Sequence, residues 1–74
     1  MGKLAQMAGM DQFIADLEAY TEAIGTTPQR FLRDFLNAEW GRWERWKART
    51  AYPTARTMDR IRQFMAENPA GAAA

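Results

Sequence analysis

Residues 37–49 constrain the fold of this chain more than any other stretch, because they contain all three of its tryptophans. At the helical spacing of about 100° per residue, the indoles spread over one half of a cylinder and the arginines fall on the other half. The indoles are Trp40, Trp43 and Trp46, and the arginines are Arg42, Arg45 and Arg49. The stretch therefore predicts an amphipathic helix with an apolar side and a row of positive charge.

Two interpretations of this charged row compete. Guanidinium groups held outward suit a polyanion, because neutralising phosphates releases condensed counterions. Arginines opposite a buried stripe are, however, more often simply a solvated helix face. The first interpretation requires that Arg42 and Arg45 face outward, free of intramolecular ion pairs and not covered by another element of the chain.

The remaining composition limits the chemistry that the chain can perform. Seventy-four residues make one small domain, and the absence of cysteine excludes disulfide bonds and thiolate metal sites. Without histidine, the usual groups for neutral acid-base catalysis and zinc binding are missing. The paired acids, such as Asp16 with Glu22, are interpreted as surface carboxylates. We therefore expect neither an enzyme nor a protein with a metal or another cofactor.

The small net charge of +1 conceals an uneven distribution along the sequence. Residues 1–25 contain one basic and four acidic residues, whereas residues 26–62 contain nine basic and four acidic ones. A gathered positive region permits nucleic-acid binding at low overall charge. Neither a signal peptide nor a long apolar run is evident, so we expect a cytoplasmic protein without a membrane partner.

The first 25 residues predict one amphipathic helix that follows a short N-terminal segment. Residues 1–10 are expected to form a flexible tail or a short extra turn packed by Leu4 and Met7. Asp11 is the predicted N-cap of a helix over residues 11–24, with Gly25 as its C-terminal glycine. The predicted buried face consists of Phe13, Ile14, Leu17, Tyr20, Thr21 and Ile24.

Three further helices are predicted. Thr27 caps a helix over residues 28–36, Asn37 makes a left-handed turn, and a helix over residues 39–48 follows. Thr54, with Thr57 as the alternative, is the predicted cap of the last helix, which ends at Asn68, and residues 69–74 are expected to be a disordered tail. The predicted fold is thus all-α, a compact bundle of four to five helices with its folded domain over residues 11–68 and a helix-turn-helix inside it.

The order of these elements resembles a known family. From Phe13 to Met65 the chain is similar to the lambda-repressor-like helix-turn-helix family of Cro and phage repressors. The resemblance lies in residues 27–29 opening the second helix, the turn at Asn37, and two anchors in the third helix, Trp43 and Trp46. The chain departs from the family pattern in having Asn37 where glycine is common and Gly41 inside the third helix.

The resemblance implies a sequence-specific regulator of transcription, a repressor or activator of bacterial or phage type. Such a protein binds double-stranded DNA, usually as a homodimer, with residues 39–48 in the major groove and possible contact with RNA polymerase. The implied base contacts are Glu39, Trp40, Gly41, Arg42 and Arg45. The implied phosphate contacts are Gln29, Arg30, Arg33, Lys47, Arg49, Thr50 and Tyr52. Two positions are open for Trp40, which either packs under the turn or stacks at the DNA or dimer surface.

A different class of function fits the same residues. A small helical protein-interaction module would use the tryptophans and arginines to bind a component of the transcription machinery or another regulator. The two classes differ in their response to salt, because binding through phosphates weakens steeply with ionic strength, whereas an interface anchored by indoles changes little.

Overall fold

The computed structural model describes the backbone of residues 2–70 and the side chains of residues 9–70. This part of the chain consists of four helices without a strand: α1 (Gly2–Ala23), α2 (Pro28–Leu36), α3 (Arg42–Lys47) and α4 (Ala55–Glu67). The prediction of an all-α fold is confirmed. Predictions about the side chains of Leu4 and Met7, and about residues 71–74 of the tail, lie outside the described residues. No helix in the described part is both long and apolar enough to cross a bilayer.

Helix α1 begins nine residues earlier than predicted, at Gly2 rather than Asp11. Alanine, leucine, methionine and glutamine, which dominate residues 3–10, are good helix formers, and a single interior glycine costs only about 1 kcal/mol relative to alanine. Gly9 therefore does not end the helix. Asp11 lies inside α1 and does not cap it, and its carboxylate instead accepts a hydrogen bond from Arg49.

The end of α1 follows the prediction more closely. Gly25 adopts a left-handed φ of 81°, and the N–H of Thr26 donates to the carbonyl of Thr21 at 2.8 Å. This is the bonding pattern of a glycine-terminated helix, which satisfies a carbonyl of the last turn. Because α1 ends at Ala23, Ile24 lies in the turn with 40% of its surface exposed, outside the predicted buried face.

Helix α2 has the predicted bounds because its two ends are specified locally. The hydroxyl of Thr27 accepts a hydrogen bond from the N–H of Arg30 at 3.2 Å, and Pro28 occupies the first turn. At the other end, Asn37 has the predicted left-handed conformation, with a φ of 54°. Thr54 caps α4 in the same way as Thr27 caps α2.

Helix α3 is shorter than predicted, spanning Arg42–Lys47 rather than residues 39–48. Gly41 precedes it with a φ of 102°, a backbone conformation that residues with a Cβ rarely adopt. Gly41 is thus needed for the turn and is not an interior residue of the helix. Glu39, Trp40 and Gly41 belong to a five-residue connection between α2 and α3.

All four helices contribute to one core. Its fully buried apolar side chains are Phe13 and Leu17 of α1, Leu32 of α2, Trp46 of α3 and Ile61 of α4. A second aromatic group surrounds Phe31, whose ring centroid lies 6.1 Å from that of Tyr20 and 5.6 Å from that of Phe64. The hydroxyl of Tyr20 donates to the carbonyl of Asn68 at 2.6 Å, which fixes the end of α4 against α1.

Ion pairs connect the acidic face of α1 to the basic half of the chain. Asp11 pairs with Arg49, Glu18 with Lys47 at 3.3 Å, and Asp16 with Arg62 at 3.0 Å. The partners of α1 lie in α3, in the segment after it and in α4. The negative charge of α1 is therefore largely matched within the fold, and each of these exposed pairs contributes about 0–1 kcal/mol.

The Asp16 pair predicts a small dependence of stability on pH. Hydrogen bonds from the side chains of Gln12 and Arg62 lower the pKa of Asp16. Because the pKa is lowered by folding, the stabilisation is present above the ordinary carboxyl pKa and is lost as the pH falls through the lowered value. We expect Asp16→Asn to lower the free energy of unfolding by no more than about 1 kcal/mol at neutral pH, with the difference vanishing in strong acid.

Urea titrations of both chains at neutral and strongly acidic pH test this expectation. Glu22→Gln is the matched control, because Glu22 also lies on α1 and makes no ion pair among the described residues. If the free energies of unfolding of Asp16→Asn and the parent chain differed as much in strong acid as at neutral pH, the stabilisation would not come from the ionised Asp16 carboxylate.

Candidate nucleic-acid interface

Two tryptophans hold α3 against the rest of the fold. Trp43 is 5% exposed and Trp46 is 1% exposed, and the ring of Trp46 packs at 6.2 Å from that of Phe13. Both are anchors, as their helical positions predicted. With these indoles turned inward, Glu44 and Arg45 of the same helix are left at the surface.

Trp40 is not part of the core. Its side chain is 69% exposed, and the guanidinium carbon of Arg33 lies 5.7 Å from the centre of its ring. A cation positioned over an indole face is attracted by the ring quadrupole, with about 0.5–1 kcal/mol at exposed sites. The contact joins α2 to the connection before α3 and leaves an indole at the surface.

Glu39 binds two arginines at the start of α3. Its carboxylate accepts from Nε of Arg42 at 2.7 Å and from Nη2 of Arg42 at 2.9 Å, and it lies 3.3 Å from Nη2 of Arg45. The hydrogen bonds from Arg42 lower the pKa of Glu39 and so keep its carboxylate ionised to a lower pH than that of an ordinary glutamate. The requirement that Arg42 and Arg45 be free of intramolecular ion pairs is not met.

These pairs are nevertheless at the surface. The side chains of Arg42, Arg45 and Glu39 are 36%, 45% and 51% exposed, respectively. Ion pairs with this exposure are weak, because water competes for both partners. The contact that Glu39 makes with both arginines keeps them together and does not cover them with another element of the chain.

Two groups of surface side chains, one around Trp40 and one around Glu39, adjoin in the sequence at residues 39 and 40, and we call them together the arginine patch. It consists of Arg30, Arg33, Glu39, Trp40, Arg42 and Arg45. An open depression of about 610 Å³ runs through part of it, lined by residues 25–27, Arg30, Arg33, Asp34 and Trp40. Arg30 and Arg33 make no ion pair within the described residues. The patch thus combines residues of α2, among them Arg33 in its last turn, with the connection and α3.

Other predicted contacts face elsewhere. Lys47 pairs with Glu18, and Arg49 donates to the carbonyls of Trp46 and Lys47 as well as to Asp11. Arg49 has a φ of 62° just after α3, so its side chain and backbone both terminate that helix. These two cations hold α3 to α1, and we do not include them in the arginine patch.

The remaining predicted phosphate contacts, Gln29, Thr50 and Tyr52, differ in burial and in hydrogen bonding. Gln29 is half-buried in the first turn of α2, and the hydroxyl of Thr50 donates to the carbonyl of Arg45 at 3.3 Å. Tyr52 is 63% exposed in the segment between α3 and α4. Gln29 therefore lies at the same end of α2 as Arg30, while Thr50 supports the end of α3.

Sequence reasoning missed the role of Glu39 as a shared partner. A signal was present, because Glu39 and Arg42 are three residues apart, the spacing at which side chains meet on a helical turn. The contact between Arg33 and Trp40 had no such signal, because it spans the turn between two helices. Comparison with protein-family models, with curated proteins and with solved structures gives no match for this chain.

Proposed function

We propose that this protein is a sequence-specific regulator that binds double-stranded DNA through the arginine patch. The observation that supports this most is that α3 and the connection before it have a buried apolar side and an exposed basic side. The indoles of Trp43 and Trp46 are buried, whereas Arg42, Arg45 and Trp40 lie at the surface, and Arg30 and Arg33 of α2 line a depression with Trp40. Arg42 and Arg45 do not meet the requirement of freedom from ion pairs, so their part in the proposal rests on the exposure of the pairs with Glu39, which leaves both guanidinium groups open to a competing acceptor.

The parts of the patch have different roles in this proposal. Arg30 and Arg33 contact phosphates, together with Gln29 near the N-terminus of α2, where backbone N–H groups favour an anion. Arg42 and Arg45 face base edges in the major groove, and Trp40 contacts an apolar base edge such as a thymine methyl group. Two copies of the chain bind adjacent half-sites, in keeping with the resemblance to phage repressors.

A competing function is supported by one observation, the 69% exposure of Trp40, since exposed indoles often anchor protein interfaces. In that alternative the patch binds a protein of the transcription machinery. The charge around the ring favours DNA, because the depression beside Trp40 is lined by the cations Arg30 and Arg33 against the single acid Asp34 and is therefore net positive.

The salt dependence of binding to a random 20-base-pair duplex tests the proposal. We expect the logarithm of the association constant to fall linearly with the logarithm of salt concentration, with a slope of about −0.9 for each phosphate contacted. Arg30→Ala and Arg33→Ala should each make that slope shallower by about one unit. Fluorescence anisotropy across a range of salt concentrations gives the slopes.

Arg62→Gln is the control for total charge, because Arg62 pairs with Asp16 of α1 and lies outside the patch. We expect it to leave the slope nearly unchanged. Absence of duplex binding, or affinity that hardly responds to salt, would reject DNA binding and favour the protein-interaction alternative. Selection of bound fragments from random duplex DNA then gives the preferred site, and an inverted repeat supports binding as a dimer.

A further inference from the structure

We propose that Glu39 is a positioning residue that presents the outer edge of Arg42 to guanine and thereby determines sequence preference. This inference rests on the proposed DNA-binding function. It concerns how the patch distinguishes one duplex from another and does not concern whether the patch binds DNA. It begins from the two hydrogen bonds that join the Glu39 carboxylate to a single side of the Arg42 guanidinium.

The guanidinium group has enough donors to bind two acceptors at once. It carries five N–H groups in a rigid plane, one on Nε and two on each terminal nitrogen. Glu39 occupies the side formed by Nε and Nη2. The outer side, formed by Nη1 and the second N–H of Nη2, retains two parallel donors. Two parallel donors match the O6 and N7 acceptors that guanine displays in the major groove.

The backbone also fixes the position of this pair. The N–H of Arg42 donates to the carbonyl of Glu39 at 3.2 Å, so the two residues are joined through both main chain and side chain. The turn between them depends on Gly41, whose left-handed backbone allows the chain to fold back at that point. A guanidinium held in this way loses less side-chain freedom on binding than a free arginine would.

The negative charge of Glu39 has a second consequence. It lies within 3.3 Å of Arg45 as well as binding Arg42, so the two cations share one carboxylate. The carboxylate repels phosphates and the acceptor atoms of bases that do not satisfy Arg42. Glu39 is therefore expected to weaken binding to arbitrary DNA while it increases the preference for a site with a correctly placed guanine.

The test compares Glu39→Gln with the parent chain on two duplexes. One is the sequence selected from random duplex DNA, and the other is a scrambled duplex of the same composition. A glutamine has nearly the same shape, but its amide nitrogen cannot accept the second hydrogen bond from Arg42. We expect affinity for the scrambled duplex to rise, and the ratio between the two affinities to fall by about threefold to fivefold, as befits the modest contribution of an exposed ion pair.

Glu44→Gln is the matched control, because Glu44 is an exposed acid of α3 without an ion pair among the described residues. It removes the same charge from the same helix and should leave the affinity ratio unchanged. The Arg42 Nε–H resonance gives a readout independent of DNA, since it should exchange with water faster in the Glu39 variant.

Three outcomes would overturn the inference. Glu39→Gln could keep the affinity ratio of the parent chain, which would leave DNA binding intact and reject the positioning role alone. Both glutamine variants could lower the ratio equally, which would assign the effect to total charge. A parent chain that bound no duplex would reject the proposed function and the inference together.

Discussion

Replacing Trp46 with alanine is expected to lower the free energy of unfolding by about 3–5 kcal/mol, the largest effect of any change considered for this chain. Trp46 is 1% exposed and packs against the ring of Phe13. Its removal leaves a cavity between α3 and α1 that the surrounding side chains can fill only in part. A domain of this size has a stability of only about 5–10 kcal/mol, so a large part of it would be lost.

Urea unfolding followed by far-ultraviolet circular dichroism measures this loss. Trp40→Ala is the matched control, because it removes the same side chain six residues earlier in the sequence, where the indole is 69% exposed. Loss of the contact with Arg33 should cost no more than about 1 kcal/mol there. Similar destabilisation by the two substitutions would contradict the division of the tryptophans into a buried pair and an exposed ring.

Replacing Arg42 with alanine is expected to weaken binding to the selected duplex by about 1–3 kcal/mol and to reduce its preference over a scrambled one. The guanidinium is held by Glu39 and presents its outer donors, so its loss removes a base contact and not only a charge. Arg45→Ala should have a smaller effect on preference, because Arg45 makes a single, longer approach to Glu39 at 3.3 Å.

Anisotropy titrations of both variants on the two duplexes measure these effects. Lys47→Ala is a control with the same loss of charge on α3, directed toward Glu18 of α1. Equal weakening on every sequence after loss of Arg42 would show that this residue contacts phosphate and does not read bases. Thermal unfolding of Arg42→Ala should change little, because an exposed ion pair contributes about 0–1 kcal/mol.

The parts of the fold that followed from sequence are those whose cause lies within a few residues. Helix α2 was predicted at both ends because Thr27, Pro28 and Asn37 act on neighbouring backbone groups. The glycine at the end of α1 and the cap of α4 belong to the same class. Helical spacing placed all three indoles on one apolar side, which is right for Trp43 and Trp46 but wrong for Trp40, since Trp40 lies before α3 and is exposed.

The helix bounds that were predicted wrongly are those of α1 and α3, where several residues have weak and opposing preferences for helix and turn. Asp11 suggested a helix start, but the good helix formers before it continue α1 to Gly2. Gly41 was assigned to the interior of a helix because a glycine gives no periodic signal of its own. Its φ of 102° shows that it belongs to the turn, which shortens α3 to six residues.

The sequence by itself determined that the chain is helical and that its positive charge is gathered in the second half, because these properties depend on residue type and on spacing along the chain. That Trp40 stays exposed while Trp43 and Trp46 are buried was decided by the tertiary structure. Only the tertiary structure decided which arginines and lysines pair within the chain and which remain available to a ligand. Lys47 and Arg49 turn toward acids of α1, Arg33 lies over Trp40, and Glu39 collects Arg42 and Arg45. Most of these partners are brought together by the packing of α1, α2 and α3. A long cationic side chain can reach several carboxylates, and the sequence alone does not show which of them lies nearest in the folded chain.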